Sequence, residues 1–209
     1  NWNSRVPEVP SLCTNSRGIY PTIYSILREQ RPQAETGCIA EWDGIKFLVD
    51  SAAISYVDVA GNYEKDSTQL CRMAEKYIKE KKPVFFAVCF DQIDHVGHAI
   101  GHDTPAYYDV VASIDIQVGR IIQAAKDAGI YDDTVFIITA DHGGIERRHG
   151  GHSLLEMEIP YILFGKGIKR GMEITDTVIQ YDTAATIAEI LGLKRPQCWR
   201  GLPTYCVFK

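Results

Sequence analysis

The sequence predicts an α/β protein, a three-layer sandwich with a largely parallel sheet. Two continuous apolar runs, residues 84–90 and 134–140, have the length and the β-branched and aromatic content of strands buried on both faces. Segments with helical periodicity alternate with these strands along the chain. Strands separated by helices are typical of a parallel sheet with helices packed on its faces.

In the first half of the chain, apolar spacing predicts a helix within residues 20–30 and short strands over 37–42 and 46–49. Residues 67–82 carry apolar side chains on one face and charges on the other, which predicts an amphipathic helix. Pro83 bounds that helix, because proline cannot continue the hydrogen-bond ladder.

In the second half, a long helix is predicted to begin with Thr104 as N-cap and Pro105 in the first helical position. It keeps helical period up to Gly129, a residue suited to a helix C-terminus. A third strand is predicted over residues 160–164, and a final helix over 182–191.

Length and composition describe one globular domain over residues 1–209, with 45% hydrophobic and 23% charged residues. No apolar run reaches the roughly 18 residues of a membrane span. The net charge of −5 argues against a protein that binds duplex nucleic acid through its phosphates. Cys198 and Cys206 are a candidate disulfide in an oxidising compartment, and the sequence leaves their state open.

The charge and the histidines are concentrated in one part of the chain. Between Asp91 and His152 there are ten acidic and four basic residues, and all six histidines of the chain lie in the same stretch. A stretch rich in carboxylate and imidazole groups is what a cation site requires, since these are common protein ligands of divalent metals.

Acid and histidine side chains follow both buried strands at the point where each strand ends. Asp94 and His98 come after the first strand, and Asp141 and His142 directly follow the second. Functional groups collect beyond the carboxyl ends of parallel strands, so these side chains are expected to lie close together. Mixed carboxylate and imidazole ligands suit zinc, manganese or iron better than calcium or magnesium.

These motifs together resemble the alkaline phosphatase superfamily, and within it the type I phosphodiesterase/nucleotide pyrophosphatase group. The resemblance rests on Asp-His-Val-Gly-His at 94–98, Thr-Ala-Asp-His-Gly-Gly at 139–144 and His-Gly-Gly at 149–151. It extends from about residue 84 to the end of the chain, and the chain as a whole resembles the C-terminal two-thirds of such an enzyme. It implies an alkaline phosphatase-like fold and a metal-dependent phosphoric ester hydrolase acting on a small-molecule phosphate ester.

The resemblance also implies two divalent metal ions, zinc first, with manganese or iron as alternatives. By motif, Asp94 and His98 match ligands of one ion, with His149 as third ligand and His152 as the substitute candidate. Asp141 and His142 match ligands of the second ion. The neighbouring Arg147 and Arg148 are candidate contacts for a substrate phosphate, or otherwise a solvated basic loop.

The resemblance further implies a Ser or Thr nucleophile upstream of this chain, so the sequence is expected to be an N-terminally truncated fragment that is inactive alone. A signal peptide in that upstream part is compatible with a periplasmic or secreted protein. Two alternatives stay open. One is a phosphoglycerate or phosphosugar mutase of the same superfamily, and the other is a metal-binding module without catalysis.

Overall fold

The α/β class with a parallel sheet is confirmed by a computed structural model, which describes residues 14–15, 18–59 and 67–209. The strands are β1 (Thr14–Asn15), β2 (Gly18–Ile19), β3 (Thr36–Ala40), β4 (Tyr56–Asp58), β5 (Phe85–Cys89), β6 (Val135–Thr139) and β7 (Tyr161–Gly165). A three-stranded parallel sheet has the order β4-β3-β5. Its register pairs the last residues of β3 and β5, Ala40 with Cys89, so both strands end at the same edge.

Within residues 14–15, 18–59 and 67–209, six α-helices connect and cover these strands. They are α1 (Ile23–Gln30), α2 (Ser67–Lys81), α3 (Gln92–Ala99), α4 (Pro105–Asp127), α5 (Leu154–Met157) and α6 (Asp182–Ile190). The predicted start of the long helix is confirmed, because the Thr104 hydroxyl accepts a hydrogen bond from the Tyr107 amide at 3.3 Å. Gly129 follows its end at a φ of +70°. In the described ranges, none of the helices has the length and apolar character to cross a bilayer.

The strand predicted over residues 46–49 is wrong. The chain forms a 3₁₀-helix at Asp43–Phe47 instead. Its backbone bonds stay local, since the amides of Leu48 and Val49 both donate to the carbonyl of Ile45, at 2.9 and 3.2 Å. The apolar spacing alone did not reveal that these amides find their acceptors within the turn rather than on a neighbouring strand.

The third predicted strand forms, but it runs against its neighbour. β7 pairs antiparallel with β6, with Thr139 opposite Tyr161 and Val135 opposite Gly165. A parallel pair needs a crossover connection of a dozen or more residues, usually a helix, that returns the chain to the other end of the sheet. The segment between β6 and β7, residues 140–160, is long enough for a crossover, but its one helix, α5, has only four residues and does not carry the chain to the other end of the sheet.

The prediction that β5 and β6 are buried on both faces is also wrong. Every residue of β5 is only half-buried, and a cavity of about 3720 Å³ lies beside both strands. Apolar side chains from several elements line it, among them Val88 of β5, Val118 of α4, Ile137 of β6 and Ile187 of α6. The closest-packed core is elsewhere, where Ile39 of β3 meets Leu70 of α2, each with no exposed surface.

The five cysteines in the described ranges are free thiols, including Cys198 and Cys206. Cys38 and Cys71 are buried, and burial raises the pKa of each thiol above its ordinary value. Both therefore remain protonated at neutral pH and act as small apolar core residues.

Candidate metal centre

Helix α3 presents two of the predicted ligands on one face. Asp94 and His98 are four residues apart, which places them one turn apart along the same side of a helix. The His98 Nε2 atom lies 3.3 Å from Asp94 Oδ2. The helix begins three residues after β5 ends, and therefore both side chains stand just beyond the carboxyl edge of the parallel sheet.

The third member comes from the loop that follows β6. His149 Nε2 lies 3.6 Å from Asp94 Oδ1. One ligand atom from each of Asp94, His98 and His149 lies within 4.8 Å of the other two. The structure thus joins two chain segments about fifty residues apart in the arrangement expected from the motifs.

A tight turn at residues 145–148, just before His149, orients His98 and His102. In this turn the Arg147 carbonyl oxygen is 2.9 Å from His98 Nδ1, and the Glu146 carbonyl oxygen is 3.0 Å from His102 Nδ1. A carbonyl oxygen only accepts, so each Nδ1 carries the proton. With the Nδ1 proton placed on this carbonyl, Nε2 is the ring nitrogen left to bind a metal, and it faces Asp94.

One residue of the turn has a left-handed backbone conformation. Glu146 adopts a φ of +53°, and the amides of Ile145 and Arg148 each donate to the other's carbonyl. Left-handed backbone is uncommon for residues other than glycine. The two histidine contacts and the reciprocal amide bonds offset that strain by holding the turn in one conformation.

His102 packs between the two halves of the centre. A β-carbon built at Gly97 of α3 or at Gly144 of the loop after β6 would overlap the His102 ring. The absence of a side chain at both glycines lets α3 and the loop close on this ring. No spacing argument identifies His102, because its role depends on contact between two segments that are distant in sequence.

His142 lies beside the three-residue cluster, and Asp141 lies beside His142 without joining that cluster. The His142 and His149 rings stack with centroids 3.7 Å apart and an interplanar angle of 16°. His142 Nδ1 is 2.8 Å from the Gly143 carbonyl oxygen, which leaves Nε2 as the free ring nitrogen. The Asp141 side chain is 77% exposed, and its Oδ2 atom lies 3.5 Å from His142 Nε2.

The remaining predicted residues lie at the rim. His152 is exposed and does not belong to the three-residue cluster. Arg147 and Arg148 are also exposed. The Arg147 guanidinium donates to the Ile100 carbonyl at 3.2 Å, which ties the turn to the end of α3. The Arg148 charge acts on Glu156, whose pKa it helps to lower.

The electrostatics of the cluster fit a bound cation. Asp94 Oδ1 is shut off from solvent and has no hydrogen-bond partner within the part of the chain that the structure describes. A buried polar atom without a partner is costly, so it marks a place where an ion or another group belongs. Burial lowers the pKa of His149 below 6.5, the nearby His142 lowers it further, and the Asp94 charge opposes them. A neutral imidazole at neutral pH is the form that binds a metal.

The fold and the cluster together define an α/β protein with a candidate centre for a divalent metal at the carboxyl edge of its sheet. The sequence model of the type I phosphodiesterase / nucleotide pyrophosphatase family matches residues 30–158. The chain belongs to this family.

Curated relatives place the same chain within the wider alkaline phosphatase superfamily. It is 25% identical to arylsulfatase K of Bos taurus over 146 residues, which are 68% of this chain and 23% of that protein. It is 27% identical to the 2,3-bisphosphoglycerate-independent phosphoglycerate mutase of Pseudomonas putida (strain GB-1) over 157 residues, 72% of this chain and 29% of that protein. The chain therefore spans less than a third of the length of either relative.

A solved structure of another protein shares this fold. A phosphoglycerate mutase of Leishmania mexicana superposes with a TM-score of 0.60 at 16% identity, covering 86% of this chain and 38% of that chain. At this identity the likeness establishes the shared fold.

Proposed function

We propose that this chain forms the metal-binding part of a metal-dependent phosphoric ester hydrolase of the phosphodiesterase/nucleotide pyrophosphatase type. The observation that carries the proposal is Asp94 Oδ1, a buried and unpartnered carboxylate oxygen that faces His149, while the other oxygen faces His98. Three ligand atoms lie within 4.8 Å of one another, and one of them has no hydrogen-bond partner among the described residues, an arrangement suited to a cation. Membership of the phosphodiesterase family supports the choice of a phosphate ester as substrate.

The donor set favours zinc, with manganese or iron as alternatives. One carboxylate and two imidazoles form a mixed oxygen and nitrogen donor set that suits these metals. When bound, such an ion polarises a phosphoryl oxygen and lowers the pKa of an attacking hydroxyl. Asp141 and His142 are the candidate ligands of a second ion, supported by the stacking of His142 on His149.

In our proposal, the side chains of this chain hold and orient the metal ligands, and they do not supply the nucleophile. The Arg147 carbonyl keeps the His98 lone pair directed at Asp94. His149 is kept neutral by burial and by its neighbour His142. We assign the attacking Ser or Thr hydroxyl to polypeptide outside these 209 residues, as the family resemblance implies. The isolated chain is then expected to bind metal without turning over substrate.

Metal content of the purified chain tests the proposal. The expected result is one transition metal per chain, measured by elemental analysis and by calorimetric titration with Zn²⁺ and Mn²⁺. Asp94→Ala and His149→Ala should each lose it. His95→Ala is the matched control, because His95 is exposed on the same helix α3 and is not a member of the cluster. A chain that binds no metal, or binds it equally in all variants, overturns the proposal.

His152→Ala separates the two candidates for the third ligand. Loss of metal in this variant, with retention in His149→Ala, would reassign the third ligand to His152. We expect the reverse, because His149 lies 3.6 Å from Asp94 Oδ1 whereas His152 lies outside the cluster.

The mutase remains the second candidate function, because the mutase of Pseudomonas putida aligns over 72% of the chain. The assay uses the longest form of the protein that its coding sequence provides, with bis(para-nitrophenyl) phosphate, para-nitrophenyl phosphate and a phosphoglycerate. Release of para-nitrophenol supports the hydrolase. Conversion of one phosphoglycerate isomer into the other without free phosphate supports the mutase. Cleavage of para-nitrophenyl sulfate alone would contradict both.

A further inference from the structure

We propose that Glu41 is a positioning residue for the metal centre, whose carboxylate holds the start of helix α3 and so aligns Asp94 and His98. This inference rests on the proposed function, because the alignment has a purpose only if the two side chains bind a cation. Glu41 follows β3 directly and is 2% exposed.

The carboxylate of Glu41 accepts hydrogen bonds from the start of α3 and from the start of α2. Its Oε2 atom accepts hydrogen bonds from the amides of Asp91 at 2.5 Å and Gln92 at 3.2 Å. Its Oε1 atom accepts from the Ser67 hydroxyl at 2.5 Å. The Glu41 amide also donates to the Cys89 carbonyl at 3.0 Å. Backbone and side chain of one residue therefore attach the end of β3 to the junction between β5 and α3.

These bonds provide a cap that α3 does not provide for itself. The first amides of a helix have no acceptor within the helix. The residue at the N-cap position, Asp91, makes no side-chain capping hydrogen bond. Glu41 supplies the acceptor from another strand instead, and its negative charge also suits the positive end of the helix.

The cap acts close to the ligands. Asp94 is two residues beyond Gln92, and α3 has only eight residues, so a shift at its start carries directly to Asp94 and His98. Asp94 must meet His149, which belongs to a different segment of the chain. Rotation of α3 would move its two ligands relative to the third, whereas it would disturb little of the apolar core.

The burial of Glu41 supports a role beyond packing. Burial raises the pKa of this carboxyl above its ordinary value, and the Ser67 hydroxyl and the two amides partly offset that rise. A neutral, apolar side chain would fill the same space without that desolvation cost. The carboxylate is the group that accepts two convergent amides and a hydroxyl at once.

Three variants of the 209-residue chain test the inference. Glu41→Ala removes the acceptor, and we expect metal affinity to fall roughly 10–100-fold, as for other residues that orient ligands from outside the coordination sphere. Glu41→Gln keeps one oxygen for the two amides and can donate its amide hydrogens to Ser67, so affinity should be largely retained. Thr36→Val is the matched control, a buried polar residue at the other end of the same strand.

Two readouts separate positioning from general stabilisation. Calorimetric Zn²⁺ or Mn²⁺ titration measures affinity, and hydrogen exchange without metal measures protection of the Asp91 and Gln92 amides. Positioning predicts that Glu41→Ala loses both, that Glu41→Gln restores both, and that Thr36→Val lowers stability with unchanged affinity. Affinity that follows the free energy of unfolding across all three variants, or wild-type affinity in Glu41→Ala, overturns the inference.

The design keeps the two proposals apart. If the wild-type chain binds no metal, the proposed function fails, while the exchange of the Asp91 and Gln92 amides still shows whether Glu41 caps α3. If Glu41→Ala does not fold, Glu41→Asp replaces it, because the shorter side chain keeps the charge but cannot span the same distance. Glu41→Asp with wild-type metal affinity and wild-type amide protection would then overturn the inference.

Discussion

The Nδ1 atom of His98 lies 2.9 Å from the carbonyl oxygen of Arg147. This one bond joins helix α3 to the turn that leads into His149, so two segments of the candidate centre share a contact that does not depend on metal. It also determines which ring nitrogen of His98 is free. The two halves of the cluster are therefore prearranged by the polypeptide.

Gly97→Ala should destabilise the junction between α3 and the loop after β6. A β-carbon at Gly97 overlaps the His102 ring, and overpacking of this kind typically costs about 1–3 kcal/mol. Gly119→Ala is the control, because a β-carbon in that position of α4 meets nothing within 4 Å. It should instead stabilise the chain by about 0.5–1 kcal/mol, since alanine is the better helix former. Urea unfolding measures both.

The double variant Gly97→Ala/His102→Ala checks the cause. If the clash is with the His102 ring, the double variant is less destabilised than the sum of its two single variants. Strict additivity of the two changes would show that the ring is not what Gly97 accommodates.

The pKa of His149 should shift in opposite directions when Asp94 and when His142 is substituted. Asp94→Asn should lower it further, because the Asp94 charge opposes the effect of burial. His142→Ala should raise it, because His142 is one of the groups that lower it. NMR titration of the His149 ring protons in metal-free chain measures both shifts. Equal or reversed directions would contradict the electrostatic account of the cluster.

The same lowered pKa makes the free energy of unfolding dependent on pH. His149 binds its proton more readily in the unfolded chain, where its pKa is near 6.5, than in the folded one. The contribution of this group is therefore complete above 6.5 and falls as the pH drops toward the folded-state pKa. Denaturant unfolding of wild type and His149→Gln, followed as the pH is lowered from 7 through 6.5, should show a smaller acid loss in the variant.

Glu156 should hold the loop after His149 in a pH-dependent way. Its carboxylate accepts hydrogen bonds from the Ser153 hydroxyl and the Gly151 amide, and these lower its pKa below 4.5. A lowered carboxyl pKa stabilises the fold above 4.5, and this contribution is lost as the pH falls through the folded-state value. Hydrogen exchange of the Gly151 amide should accelerate over that range in wild type. Glu156→Ala, which leaves the Gly151 amide without this acceptor, should already exchange fast at neutral pH, and an unchanged rate would contradict this role.

Substitutions at Ile39 and Ile137 should show that side chains are packed more closely around β3 than around β6. Ile39→Ala removes a side chain with no exposed surface and is expected to cost about 2–5 kcal/mol. Ile137→Ala removes the same atoms from a half-buried position that lines the large cavity. Fewer packing partners are lost there, and the cost should be clearly smaller by urea unfolding. Equal costs would mean that the cavity is closed in solution.

Much of the fold followed from local patterns in the sequence. The long helix begins at the predicted cap because Thr104 and Pro105 meet requirements that act within one turn. The prediction of a strand at residues 46–49 was wrong, because a short apolar run does not show whether the edge of a neighbouring strand is available for pairing. The burial of β5 and β6 was overestimated for a related reason, since apolar composition shows what a strand prefers and not what packs beside it.

The candidate site, like the fold, was predicted in part from the sequence and in part became known only from the structure. The sequence by itself determined the candidate ligand types and their order, because the acid and histidine motifs follow directly on two predicted strands. The structure added that residues 92–99 form a helix, which places Asp94 and His98 on one face. Only the tertiary structure decided that His149 approaches Asp94 while His152 does not, and that Glu41 and His102 support the arrangement. The reason is physical: spacing governs neighbours within an element, whereas contacts between distant segments depend on how the whole chain packs.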